Sequence, residues 1–316
     1  MWAYRLTKPR LVERAGQPDN TAPLLTGQVR LRFRAGGLCG SDMPRFKGLG
    51  GPQADGDYGA APLHELVADV IESQSPDLET GQRVVGTLGR FAGLAQIVVA
   101  SASTFVPVPE GLDDVSAVIA QPLATVLRAA AKFPDVKGIR AAVIGTGPCG
   151  LAFCHVLSHR GAGHISAVDP VERAGTARFF GADEFFHTQA TQWSEGLEDV
   201  ARPQLVVEAA GHQQTTVRDA VRGVAEHGFV YGFGEPDDAD YSIPYEELYL
   251  KDVTLSSGRT IDRWRELLQD ALGYLSRYRG DFEGYVSHVI PVEDAQRAYS
   301  LYAQPQPGRL KVVIVP

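Results

Sequence analysis

Cysteine is scarce in this sequence, and long apolar runs are missing from it. Three cysteines among 316 residues are too few for a disulfide framework, and an odd, sparse set of thiols is typical of a reducing compartment. No apolar run approaches the roughly 20 residues that a membrane-spanning helix needs, and the first residues lack the apolar segment of a signal peptide. We therefore expect a cytoplasmic protein with no membrane partner.

An excess of positive charge is also missing. Lys and Arg number 30 against 38 Asp and Glu, which gives a formal net charge of −8. Nucleic acids and anionic membranes repel an acidic protein, so we expect neither as a partner. The G-x-S-x-G and P-loop patterns of many hydrolases and kinases are absent as well. What remains is the composition of a globular protein, with 44% hydrophobic and 22% charged residues, long enough for two domains.

The sequence divides into a β-rich part and a part in which strands and helices alternate. Short apolar runs between Gly, Pro and Asp clusters predict strands in the first third of the chain. From about residue 122 to 258, predicted strands alternate with helical stretches, which is typical of βαβ units and a parallel sheet. We therefore predict an α/β protein. Its β-rich domain (residues 1–122 and 259–316) would be interrupted by a doubly wound parallel-sheet domain (residues 123–258).

The strongest local motif is a glycine-rich turn between a predicted strand and a predicted helix. The strand at 141–144 leads directly into Gly145, Thr146, Gly147, Pro148, Cys149 and Gly150. Gly145 permits the tight turn, Gly147 lets the backbone approach a pyrophosphate, and Gly150 lets helix and strand pack closely. The N–H groups at the helix start suit phosphates. This context predicts a dinucleotide-binding site.

The next predicted strand ends at Asp169, at the usual distance of about 20 residues from the glycines. Its carboxylate is suited to accept hydrogen bonds from the adenosine ribose hydroxyls and to repel a 2′-phosphate, which favours NAD over NADP. Arg173 lies nearby and would soften that preference. Asp169 alone would also suit a helix start, but the glycines favour the nucleotide role.

A second set of polar residues lies in the β-rich part. Cys39 is followed by Gly40, Ser41 and Asp42, and His64-Glu65 precedes the next predicted strand. A catalytic zinc takes three protein ligands from Cys, His and carboxylate groups and keeps one position open. Cys39, His64 and a third group would meet that count, although a single Cys and a single His are more often structural.

Together these motifs resemble the medium-chain, zinc-containing alcohol and polyol dehydrogenase family, which includes sorbitol, threonine and glucose dehydrogenases. The resemblance covers essentially the whole chain. Besides the motifs above, the segments 121–123, 207–211 and 251–255 also resemble stretches of the family. It implies a Rossmann domain inserted into a discontinuous GroES-like catalytic domain. It also implies hydride transfer between NAD and a small-molecule secondary alcohol or ketone, with a polyol, sugar or aminocyclitol as substrate. A homodimer or homotetramer, formed by edge pairing of the nucleotide domain, would follow as well.

The resemblance also implies individual roles. Cys39 and His64 would hold a catalytic zinc, which would act as a Lewis acid on the reacting oxygen. Asp42 would accept the second ring N–H of His64, and Ser41 would pass on the proton of the substrate hydroxyl. Glu65 would be a direct ligand, a nearby charge that tunes the metal, or one half of an ordinary buried ion pair.

Three features depart from the family pattern. Many relatives carry a four-Cys structural zinc lobe where this chain has the cysteine-free stretch 86–93, so we expect one catalytic zinc per subunit and no structural zinc. Pro44 stands where many relatives have a relay His. Gln121 replaces an acid that often supplies the third zinc ligand. Either Gln121 or Glu65 would complete the site, or zinc would be lost.

Two other functions stay open. One is a zinc-independent NAD(P)H reductase of the quinone or enoyl type on the same fold, a branch that usually lacks the ligands represented here by Cys39 and His64. The other is a non-catalytic nucleotide-binding homologue, against which the retained ligands and Ser41 argue.

Overall fold

The chain forms two compact units in a computed structural model that describes residues 1–16, 21–49, 59–89, 92–259 and 261–316. Unit 1 consists of Met1–Ala124, Asp262–Pro305 and Arg309–Pro316, and unit 2 consists of Thr125–Ile261 and Gln306–Gly308. No helix in the described ranges is both long and apolar enough to cross a membrane.

Strands and helices alternate along much of the described chain. The strands are β1 (Trp2–Lys8), β2 (Leu11–Gly16), β3 (Gln28–Gly37), β4 (Glu65–Ser73), β5 (Arg83–Thr87), β6 (Ile97–Ser101), β7 (Phe105–Pro107), β8 (Arg140–Ile144), β9 (His164–Asp169), β10 (Glu184–His187), β11 (Leu205–Glu208), β12 (Phe229–Gly232), β13 (Thr254–Ser257), β14 (Val286–Pro291) and β15 (Lys311–Val315). The α-helices are α1 (Met43–Phe46), α2 (Asp114–Ala117), α3 (Ala120–Ala130), α4 (Pro148–His159), α5 (Ala174–Phe179), α6 (Ala190–Glu195), α7 (Gln214–Gly223), α8 (Tyr245–Leu250), α9 (Trp264–Arg277) and α10 (Ala295–Tyr302).

Unit 1 is built on a seven-stranded sheet, with the strand order β14-β15-β3-β4-β5-β7 and with β6 paired to β3. β3 is antiparallel to β4, β6 and β15. Its alternate residues Val29, Leu31 and Phe33 are buried in one hydrophobic core, as the two-residue period of a strand with one covered face requires.

The pairing of β3 with β4 determines which side chains meet at one end of this sheet. The ladder shifts register between Arg30 and Leu31 and again between Phe33 and Ala35, and such bulges bend a strand and re-aim its side chains. After these shifts Gly37 lies opposite Glu65. The segment that leaves β3 and the segment that enters β4 therefore lie at the same end of the sheet.

Unit 2 is built on a six-stranded parallel sheet, with the strand order β10-β9-β8-β11-β12-β13. In chain order this is 3-2-1-4-5-6, the order of the Rossmann fold, in which ligands bind beyond the carboxyl ends of the strands where the order reverses. Here the reversal lies between β8 and β11. All four residues of β11 are buried, as expected for a parallel strand that is covered on both faces. The predicted doubly wound parallel sheet is confirmed.

Candidate metal and nucleotide sites

Three side chains with metal-binding atoms converge at the end of the unit 1 sheet where β4 begins. Cys39 follows β3, His64 precedes β4, and Glu65 is the first residue of β4. One ligand atom from each lies within 4.8 Å of the other two. His64 is 7% exposed and Glu65 fully buried, whereas Cys39 is half-buried. We name these three residues the donor cluster.

Asp42 contacts both predicted zinc ligands of the donor cluster, Cys39 and His64. It is fully buried in the short 3-10 helix Gly40–Asp42. Its Oδ1 lies 2.9 Å from His64 Nδ1, and its Oδ2 accepts a hydrogen bond of 2.9 Å from the Cys39 N–H. With Nδ1 directed at Asp42, Nε2 is the ring nitrogen that would ligate a metal, as in other carboxylate–histidine–metal arrangements.

The same carboxylate changes the proton affinity of the histidine. Burial alone would lower the pKa of His64, but the Asp42 carboxylate, with a smaller contribution from Cys39, raises this pKa well above its ordinary value. A metal binds the neutral ring, so metal binding here displaces a proton.

A buried ion pair holds the third member of the donor cluster. Lys311, the first residue of β15, is 1% exposed, and its Nζ contacts Glu65 Oε2. Complete burial raises the pKa of Glu65, and the Lys311 ammonium opposes that rise. Gly37 makes room for the pair, because a Cβ there would overlap Glu65 Oε2 and lie 2.9 Å from Lys311 Cε.

The donor cluster fits a catalytic zinc ion. A thiolate, an imidazole and a carboxylate are all ordinary zinc ligands. Glu65 Oε1 is buried without a hydrogen-bond partner within the described residues, and such an atom is costly unless a positive group meets it. Lys311 already offsets the charge of Glu65, so direct ligation by Glu65 would compete with the ion pair.

The other residues predicted around the metal lie on other elements of unit 1. Ser41 is half-buried in the same 3-10 helix as Asp42, and Pro44 is the second residue of α1. Gln121 is 4% exposed in the first turn of α3, a different element from those that carry the donor cluster. Its part as a ligand stays a prediction.

In unit 2, the glycine-rich turn connects β8 to α4. Gly145 has a φ of +90°, a conformation that favours glycine, and a Cβ there would lie 2.7 Å from the Ala210 nitrogen. A Cβ at Gly150 would overlap the Gly145 carbonyl oxygen. At Gly147, by contrast, no heavy atom of the described chain lies within 4 Å of such a Cβ.

This pattern fits a bound pyrophosphate. Packing requires the first and third glycines, whereas the second glycine faces the open space that a close phosphate would need. Gly147 is the N-cap of the 12-residue helix α4, and Pro148 and Cys149 are its first two residues. The N–H groups at this end of the helix suit an anion.

Asp169, the last residue of β9, accepts four hydrogen bonds. Its Oδ2 accepts from the Thr146 N–H at 2.7 Å, from Thr146 Oγ1 at 2.9 Å and from Arg173 Nη1 at 3.1 Å. Its Oδ1 accepts from the Val171 N–H at 2.8 Å. Asp169 and Arg173 are each 7% exposed. The structure thus brings the two predicted ribose-end residues together, and the Asp169 carboxylate is paired rather than isolated.

Two buried charged residues with clear contacts, Glu208 and Lys311, have no role in the sequence-based predictions. Glu208 ends β11, and its carboxylate accepts from the N–H groups of Ala210 at 2.9 Å and Gly234 at 3.3 Å, which ties the segment after β11 to the segment after β12. Lys311 pairs with Glu65. Each is a single charge at the end of an apolar strand, and that pattern signals a buried partner because an unpaired buried charge is costly.

Two family models match this chain. A family model for the alcohol dehydrogenase GroES-like domain matches residues 26–110, and one for zinc-binding dehydrogenases matches residues 148–272. The two matched stretches together cover more than half of the chain.

This chain belongs to the zinc-containing medium-chain alcohol dehydrogenase family. It is 24% identical to the sorbitol dehydrogenase of Halalkalibacterium halodurans over 92% of each chain. It is also 24% identical to the L-threonine 3-dehydrogenase of Bacillus velezensis, over 83% of this chain and 76% of the relative. Among solved structures, an alcohol dehydrogenase from Thermus sp. ATN1 superposes with a TM-score of 0.85 at 25% identity, over 100% of both chains.

The family assignment confirms the predicted fold and enzyme class. The β-rich unit is a discontinuous GroES-like domain interrupted by a Rossmann domain. This medium-chain dehydrogenase is an NAD-linked, zinc-type oxidoreductase that acts on alcohols.

We expect at most one tightly bound zinc ion per chain of this dehydrogenase. Cys39 is in the donor cluster, whereas Cys149 and Cys154 lie in α4, so no four-Cys structural site can form. Burial also raises the pKa of Cys154 to about 12, which keeps it protonated. In the stretch where many relatives carry the four-Cys lobe, Arg90 and Phe91 lie outside the described residues.

Elemental analysis of protein purified without chelator measures this stoichiometry. The Cys39→Ser variant should contain much less zinc than the unchanged protein, and Cys149→Ser should contain the same amount. Two tightly held zinc ions per chain would contradict the prediction.

Proposed function

We propose that this dehydrogenase transfers hydride between NAD and a secondary alcohol of the polyol, sugar or aminocyclitol type. The observation that carries the proposal is the donor cluster itself, in which Asp42 contacts both Cys39 and His64. A zinc-independent reductase would have no use for this network. Relatives named sorbitol dehydrogenase and L-threonine 3-dehydrogenase support a substrate with polar groups next to the reacting carbon.

The proposed mechanism gives each side chain around the donor cluster one task. Cys39 and His64 would hold zinc, which when bound would supply Lewis acidity, and NAD when bound would supply the capacity to accept hydride. Asp42 keeps His64 in one orientation through Nδ1. Ser41 accepts the proton of the substrate hydroxyl in a hydrogen bond and passes it outward. Pro44 has no proton to relay, so the proton leaves through water, the cofactor ribose or another side chain.

We propose Gln121 as the third protein ligand. The support is that Glu65 is engaged by Lys311, whereas Gln121 is a buried amide in the first turn of α3. With a thiolate and a neutral imidazole, a zinc site completed by Gln keeps a net charge of about +1. The metal is then more electrophilic, and less tightly held, than one with a third anionic ligand.

Gln121→Glu should therefore raise zinc affinity by at least about tenfold, because a ligating carboxylate adds a full negative charge in direct contact with the metal, and this attraction exceeds its desolvation cost. The pH profile of turnover should also move upward, because a less positive site favours the deprotonated alcohol less. Competition with a chelator measures the affinity.

Gln269→Glu is the matched control, since it makes the same change at an exposed position of α9. If Gln121→Glu leaves zinc affinity unchanged, Gln121 only packs or caps at the start of α3, and Glu65 completes the site.

We also propose a cytoplasmic homodimer or homotetramer, formed by edge pairing of the parallel sheet. β13 is an edge strand of that sheet. Just before it in the chain, Tyr245, Tyr249 and Leu250 of α8 are all strongly exposed. Large exposed apolar side chains and an unpaired strand edge both favour association. The cytoplasmic location is supported by the scarcity of cysteine, with three in 316 residues.

A substrate screen tests the proposed activity. Polyols, sugars, aminocyclitols and simple secondary alcohols are offered with NAD to zinc-loaded protein, and the absorbance of the reduced cofactor is followed. We expect turnover with one of the polar classes and none in Cys39→Ser, which should still bind NAD. Reduction of quinones or enoyl compounds by NADPH, with no alcohol oxidised, would favour the zinc-independent reductase.

A further inference from the structure

The ribose end of the nucleotide site contains a buried arginine beside the acid that is expected to select the cofactor. Arg173 Nη1 lies 3.1 Å from Asp169 Oδ2, and both side chains are less than one-tenth exposed. Arg173 Nη2 also donates to the main-chain oxygen of Gln306 at 3.4 Å. The guanidinium is therefore part of the site and not a surface charge near it.

Because Asp169 is paired with Arg173, the Asp169 carboxylate does not impose a strict preference for NAD over NADP. An isolated carboxylate repels a 2′-phosphate, but the Asp169–Arg173 pair carries no net charge. The guanidinium is also planar, always charged and suited to bidentate binding of phosphate. Because the pair is buried, its interaction with a phosphate would be screened less than that of a surface arginine.

The hydrogen bonds of Asp169 let Arg173 be shared with a ligand. The main-chain N–H and hydroxyl of Thr146 both donate to Oδ2, and the Val171 N–H donates to Oδ1. Asp169 would keep these three donors if the guanidinium turned toward a phosphate. The carboxylate would then not be left as an unsatisfied buried group, which is the usual cost of breaking such a pair.

We propose that Arg173 lets the ribose end of this site accept a 2′-phosphate, so that the protein binds NADP within about tenfold of NAD. The proposal rests on the nucleotide function of unit 2, but not on the identity of the alcohol or on the metal.

Calorimetric titration of the full chain with AMP and with adenosine 2′,5′-bisphosphate tests this directly. The two probes differ in the phosphate at the ribose 2′ position, and neither requires a substrate or zinc. For the unchanged protein we expect the two dissociation constants to lie within about tenfold of each other. Arg173→Met should weaken the bisphosphate relative to AMP by about 30-fold or more, because it removes the phosphate partner and leaves Asp169 unopposed.

Arg178→Met is the matched control, because Arg178 is an exposed arginine of α5, and it should leave the ratio of the two dissociation constants unchanged. Asp169→Asn is a second variant, useful if Arg173→Met fails to fold. It removes the repelling charge and keeps the arginine, so the ratio should move toward the bisphosphate by about tenfold.

Three results would overturn the proposal: a preference of the unchanged protein for AMP above about 100-fold, an equal loss of both ligands in Arg173→Met, or an unmoved ratio in Asp169→Asn. If AMP binds and the bisphosphate does not, only this proposal fails. If neither probe nor NAD binds, the nucleotide function fails with it.

Discussion

Replacing Ser41 with Ala should lower turnover by about 10²–10⁴-fold, the usual effect of losing an acid–base contact with the reacting group. Ser41 lies between Cys39 and Asp42 in the chain, in the 3-10 helix that also carries Asp42. The affinity for NAD should hardly change, because the glycine turn and Asp169 belong to unit 2. Steady-state kinetics with the alcohol found in the screen, and calorimetry with NAD, measure the two effects.

Ser41→Thr is the control for this prediction, because it keeps a hydroxyl at the same position and should retain much more turnover than Ser41→Ala. An isotope effect with deuterated alcohol shows whether hydride transfer limits the rate. Unchanged turnover in Ser41→Ala, with hydride transfer limiting, would remove Ser41 from the mechanism.

Replacing Lys311 with Met should destabilise the metal-free protein by about 3–5 kcal/mol, because removing one partner of a buried ion pair leaves an uncompensated charge. Glu65 is fully buried and contacts Lys311 Nζ, so water cannot replace the lost ammonium. Lys311→Arg keeps the charge and should cost less. Denaturant unfolding of metal-free protein measures the difference.

The loss in Lys311→Met should depend on pH in a defined direction. Burial raises the pKa of Glu65, and the variant lacks the ammonium that opposes this rise. A carboxyl group whose pKa is higher in the folded than in the unfolded state binds its proton more tightly when folded, so the variant should regain stability as the pH falls.

The double variant Lys311→Met with Glu65→Gln removes both charges and should recover much of the loss. A loss in Lys311→Met that is independent of pH and is not recovered in the double variant would show that the ion pair is not its cause.

The Rossmann half of the fold could be predicted because its signals are local. The strand, the six-residue motif from Gly145 to Gly150 and the following helix are continuous in the sequence, and β8 and α4 lie there in the structure. The β-rich half depends on long-range register. The two shifts along β3 and β4 bring Gly37 opposite Glu65, and no local pattern in the sequence fixes them.

The same difference between local and long-range signals applies to the candidate metal and nucleotide sites. The resemblance to the family predicted that Asp42 would meet His64, and the two lie 2.9 Å apart. The partner of Glu65 was not predicted, because Lys311 is far away in the sequence and reaches Glu65 only through the order of strands β15, β3 and β4. The sequence shows that Asp169 and Arg173 are close along the chain. Their burial as a pair depends on tertiary packing, which the sequence pattern does not reveal.

Metal removal followed by zinc titration tests most directly whether Cys39 and His64 hold a catalytic zinc for NAD-linked alcohol oxidation. The metal-free protein is titrated with zinc while reduction of NAD by the alcohol found in the screen is followed, and NAD binding is measured in parallel. We expect activity to rise from near zero to a plateau at one zinc per chain. Cys39→Ser should bind NAD and recover no activity. Full activity in the metal-free protein would contradict the account.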